Sequence, residues 1–156
     1  MPSLLLGLLL FAGIGLERAA QPGISSPDHL AAVIREAKTV VIGFENFRDK
    51  RRSTDAVIED RAWIEKLATL AADGPLIRMP YCFCVSTPTV ELYGDDGLLL
   101  KLTLHHNSKM RCFGRIKGDF DIGETRARAI LALLVAQESN ARERFVPKLK
   151  WPATKR

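Results

Sequence analysis

Between residues 26 and 71 the apolar positions recur at helical spacing, and beyond residue 76 they alternate. Ser26, Pro27 and Asp28 combine a capping hydroxyl, a first-turn proline and a first-turn acid, so a helix is predicted there. Its Leu30, Val33, Ile34 and Ala37 fall on one face. The β-branched run at 39–44 reads as a strand. Asp60 is placed to cap a second helix with Trp63, Ile64, Leu67, Leu70 and Ala71 on one side, and Asp73, Gly74 and Pro75 stop it.

Period two then predicts strands at 76–85, 89–93, 98–106 and 109–116, with Phe120 and Ile122 in one more short strand. Pro80 puts the first half of 76–85 at a sheet edge. Turns are expected at 86–88, at 94–97 and at Asn107 and Ser108. A last helix is expected over about 124–138, with Ala127, Ile130, Leu131, Leu134 and Val135 as its stripe. The order predicts an α+β domain: an antiparallel meander with helices packed on one face.

Composition adds scale and compartment. The 156 residues, 47% hydrophobic and 26% charged, suffice for one buried core and leave little for a second. With 11 Gly, 8 Pro and three Cys, collagen-like, mucin-like and disulfide-scaffold chains are excluded. Residues 4–16 carry no charge and have the length of a signal-peptide h-region, too short to span a bilayer comfortably. Residues 1–20 are therefore expected to be an export signal or an apolar anchor, with the domain at 25–140. The alternative is an apolar first helix docked on that domain.

The net charge of +5 is local. Six basic residues and one acid lie between Arg142 and Arg156, and the rest of the chain is balanced. A tail carrying Arg142, Arg144, Lys148, Lys150 and Trp151 suits nucleic acid or an anionic membrane surface, because cations displace condensed counterions from phosphates. The plainer reading is a solvated extension over 141–156. A second basic run at 48–52 reads as a loop.

Candidate chemistry concentrates in one stretch. Cys82, Cys84, His105, His106 and Cys112 lie within 31 residues, and only His29 falls elsewhere. Thiolate with imidazole suits zinc or copper. On a regular strand Cys82 and Cys84 leave the same face roughly 6.7 Å apart, too far for a mutual disulfide. A two-residue turn at Asn107 and Ser108 would set His106 opposite Lys109 and Thr103 opposite Cys112. It would make His105 and Cys112 diagonal neighbours roughly 7–8 Å apart, with His106 on the other face behind the leucine stripe.

Three readings stay open. The cysteines are small buried hydrophobes with His106 capping the leucines; or export joins Cys112 to Cys82 or Cys84 in a disulfide; or Cys82, Cys84, His105 and Cys112 hold a metal or act in redox chemistry. No phosphate loop, zincin helix or EF-hand pattern is present. Asp95, Asp96, Asp119 and Asp121 sit beside glycines as turn residues do, so an enzyme is not favoured. The leading expectation is a non-enzymatic exported domain that binds another macromolecule, most simply a protein. The alternatives are the thiol–histidine metal or redox domain and nucleic-acid binding through the tail.

Overall fold

A computed structural model describes residues 26–44, 54–84 and 87–143. The apolar amino terminus, the basic run at 48–52, and Arg144, Lys148, Lys150 and Trp151 lie outside the described residues. Three α-helices accompany one antiparallel sheet, so the class is α+β.

Helix α1 (Pro27–Arg35) begins where the Ser26 hydroxyl accepts from the His29 amide, and α2 (Arg61–Ala72) where Asp60 accepts from Ala62. Strand β1 is Thr39–Phe44, and the sheet continues with β3 (Ile77–Met79), β4 (Thr89–Gly94), β5 (Gly97–His105), β6 (Lys109–Gly114) and β7 (Gly118–Asp121). Two strands were not expected. β2 (Thr54–Ile58) pairs with β1, and the two-residue β8 (Arg142–Glu143) pairs with β2, so Arg142 ends on the sheet edge. β2 hides from pattern reading because it inverts the usual alternation: Asp55 is buried and Val57 is exposed.

The spatial order is β3-β7-β6-β5-β4-β1-β2-β8. β3 and β4 are consecutive in the chain yet separated by β7, β6 and β5. The connection after Met79 must therefore cross the ends of those strands to reach β4. It leaves the ladder at Pro80, which cannot donate to it, so the predicted strand at 76–85 is cut to three residues.

Alternate strand residues enter one core cluster with side chains from all three helices. They are Val40 and Ile42, Val90 and Leu92, Leu100, Leu102 and Leu104, and Met110 and Cys112. At the bulge between Leu92 and Tyr93 the alternation breaks: Leu98 is exposed, and Leu99 joins Leu100 in the core. Helix α3 (Glu124–Val135) buries Arg126, Ala127, Ile130 and Leu134. Leu131 and Val135, expected in its stripe, are exposed. The buried Arg126 donates to the carbonyls of Ile122, Gly74 and Pro75. It thereby satisfies the loop after α2 from the first turn of α3.

Candidate metal centre

The β5–β6 connection decides which side chains meet. It has three residues, His106, Asn107 and Ser108, with His106 at φ 49° and Asn107 at φ 60°. The pairing is His105 with Lys109, Leu104 with Met110, Thr103 with Arg111 and Leu102 with Cys112. Relative to the expected two-residue turn, every partner on β6 moves by one place, which exchanges its two faces.

Three expectations are corrected here. Cys112 does not share a face with His105. It is 1% exposed among Leu102, Met110 and the other core residues, and burial pushes its thiol up to about 12. A cross-sheet disulfide from Cys112 to Cys82 or Cys84 is likewise absent; all three cysteines are free thiols. His106 is not behind the leucines either. Its left-handed backbone at the hairpin tip takes it off the strand, and it is exposed. The rule that consecutive residues on a strand point apart therefore does not separate it from His105, and the two rings lie 5.1 Å apart.

Onto this tip the crossing segment delivers Cys82 and Cys84. Cys84 Sγ is 2.8 Å from His106 Nε2, and Cys82 Sγ is 3.4 Å from His105 Nδ1 and 3.5 Å from His106 Nε2. The four donor atoms all lie within 4.8 Å of one another. Bond lengths of about 2.3 Å to sulfur and 2.0–2.1 Å to nitrogen place tetrahedral ligand atoms about 3.3–3.8 Å apart. The donors are thus grouped on the scale of a single ion. Three of the expected ligands, Cys82, Cys84 and His105, are brought together. The fourth place is taken by His106 rather than Cys112.

The segment carrying the cysteines makes no ladder bonds, and a buried ion pair holds it. Arg111 and Asp119 are directly opposed on β6 and β7. Arg111 Nε donates to Asp119 Oδ1 at 2.7 Å and Nη2 to Oδ2 at 2.8 Å, a two-pronged contact with both side chains buried. The same guanidinium donates to the Cys84 carbonyl at 2.9 Å, to the Cys82 carbonyl, and to Cys82 Sγ at 3.0 Å. Tyr81 lies with its ring 4.3 Å from the guanidinium carbon. Asp119 completes the clasp by accepting from the Cys82 amide at 3.1 Å.

Asp119 also faces His105. His105 Nε2 is buried without a hydrogen-bond partner and stands 3.8 Å from Asp119 Oδ2. A histidine whose Nδ1 serves a metal commonly turns its other N–H toward such a carboxylate. Arg111 and Asp119 were not among the sequence candidates. In the sequence Asp119 reads as turn chemistry beside Gly118, and only its pairing with an inward arginine at the opposite register position distinguishes it.

Each titration follows from these contacts. Cys82 is lowered to about 7, first by the hydrogen bond from Cys84, then by the Cys84 backbone, His106 and Arg111, against the opposing effect of burial. Cys84 is raised, chiefly by that same contact. Burial lowers His105, and the Arg111 hydrogen bond holds Asp119 below the ordinary carboxylate range. In metal-free protein, iodoacetamide is therefore expected to label Cys82 first as pH rises through about 7. Cys112 should stay unlabelled until the protein unfolds. Peptide mass mapping checks this, and native labelling of Cys112 at the rate of Cys82 would contradict the burial argument.

These features define an α+β domain with a two-cysteine, two-histidine cluster at one end of its antiparallel sheet. Comparisons with protein-family models, curated proteins and solved structures return no match. No helix among the described residues is long and apolar enough to cross a membrane.

Proposed function

We propose that the protein binds one transition-metal ion, zinc in the first instance, through Cys82, Cys84, His105 and His106. The observation that carries this reading is the convergence of four donors from two chain segments, with His105 Nε2 turned toward Asp119. Thiolate with imidazole is the donor set that zinc accepts, and Cu(I) is the competing soft ion. Four protein donors leave no position for a substrate or an activated water, which favours a structural or metal-handling role over hydrolysis. The ion would join the crossing segment to the hairpin tip.

Titration of the full-length, reduced protein with Co(II) tests the reading. The expected result is one equivalent bound, with the visible bands of tetrahedral cobalt and near-ultraviolet thiolate charge transfer, both displaced by one equivalent of Zn(II). Cys84→Ser and His106→Ala should weaken binding and alter the bands, whereas Cys112→Ser should leave both unchanged. A pale octahedral spectrum, or unaltered binding in Cys84→Ser, would overturn the assignment. Displacement of zinc by stoichiometric Cu(I) but not the reverse would make copper the resident ion.

A further inference from the structure

Cys82 and Cys84 are neighbours for a second reason, independent of any ion. Both thiols are half-buried and reachable, and their sulfur atoms lie within 4.8 Å of each other. The third cysteine is sealed on the opposite face, 1% exposed. Residues 80–84 make no ladder bonds, so the strand geometry that would hold two such thiols apart does not apply. Their backbone is held instead by the Arg111 side chain and the Asp119 carboxylate, contacts that adjust more readily than a ladder.

We propose that Cys82 and Cys84 form a dithiol switch: hydrogen peroxide oxidises the pair to an intramolecular disulfide, and the metal bound there is released. The release step rests on the metal reading above; the dithiol step does not. One sulfur attacks a peroxide oxygen, the O–O bond breaks, and a sulfenic acid and water result. The second sulfur then attacks the sulfenyl sulfur, the S–S bond forms, and the hydroxyl leaves as a second water. The two thiols lose two electrons and the peroxide gains them. From the loaded site, two thiolates, the metal dication, peroxide and two protons become disulfide, free dication and two waters.

Oxidation removes two of four donors at once, and two imidazoles alone hold the ion far less tightly. Because only Phe83 separates the cysteines, the closed ring strains the disulfide and keeps it open to reduction by a small thiol. His105 and His106 remain in place, so reduction restores the full donor set. The consequence is a metal site whose occupancy follows the peroxide-to-thiol balance around it.

The experiment adds about one equivalent of hydrogen peroxide to the full chain, both zinc-loaded and metal-free. Intact mass, peptide mapping and a zinc-chelating dye are read together. Expected in both samples is the loss of two hydrogens, mapped to a Cys82–Cys84 link. One zinc should appear per disulfide in the loaded sample, and dithiothreitol should reverse both changes. Cys112→Ser should behave identically, and metal-free Cys84→Ser should lose the intramolecular link. A disulfide involving Cys112, stable addition of oxygen at either cysteine in place of the link, or zinc retained after the link forms would overturn the proposal. Failure to load zinc refutes the metal reading instead, because the dithiol step is still decided by mass in the metal-free sample.

Discussion

Replacing Arg111 with methionine is expected to cost about 3–5 kcal/mol of stability, the range for stranding one member of a buried ion pair. The substitution leaves the Asp119 carboxylate, itself 1% exposed, without its two-pronged partner. It also removes the donors to the Cys82 and Cys84 carbonyls, so the crossing segment loses its hold on β6. Urea unfolding of metal-free protein measures the loss, and a change below about 1 kcal/mol would contradict it. The double variant Arg111→Met, Asp119→Leu should regain a large part, since no buried charge is then left alone. Zinc affinity should not return with it, because the cysteines stay untethered. Stability and metal affinity thus separate in a single pair of variants.

The second large effect is the stabilisation conferred by the metal. At zinc concentrations 1,000 times the Kd, binding to the folded state alone adds about 4 kcal/mol. Thermal or urea unfolding with and without zinc should show an increment of that order. It should vanish in Cys82→Ser, Cys84→Ser and survive in Cys112→Ser. The increment must depend on pH, because thiolates and neutral imidazoles are the binding forms. Cys84, raised above its ordinary value, still carries its proton at neutral pH, so zinc binding releases it and affinity climbs with pH into the alkaline range. Cys82 resists protonation until pH falls through about 7, and below that point a second proton competes with the ion. A pH-independent increment would indicate that the thiols are not ligands.

The metal-free protein has its own acid dependence. His105, lowered by burial, is harder to protonate folded than unfolded. Its contribution is present above the unfolded value of 6.5 and is lost as pH falls below it. Asp119, also lowered, acts in the same direction at lower pH: its contribution is present above 3.8 and is lost as pH falls through its depressed folded value. The two losses are therefore staged, the histidine first.

Most of the fold was legible because its signals are local. Ser26 with Pro27, Asp60, and Gly74 with Pro75 mark helix ends by chemistry that works within one turn of chain, and those ends stand where expected. β2 was illegible because tertiary contacts bury Asp55 and expose Val57. The candidate site was legible in composition and in three of its four members, Cys82, Cys84 and His105, but not in the fourth. Asn107 and Ser108 look like a complete two-residue turn. Nothing local requires that His106 also take a left-handed conformation, which histidine tolerates better than most residues but still adopts uncommonly. That single backbone choice brings His106 in, takes Cys112 out, and turns Arg111 toward Asp119.

Surface turns ordinarily absorb insertions and deletions without harm. The connection between His105 and Lys109 is denied that freedom by the alternation of the strands it joins. One residue fewer would set β6 back by one place against β5, sending the Arg111 charge into the apolar core and Cys112 out onto the polar face. The length of this hairpin tip is therefore under the same restraint as the volume of a core side chain. Change in this lineage should accumulate as substitution within the tip rather than as gain or loss of residues.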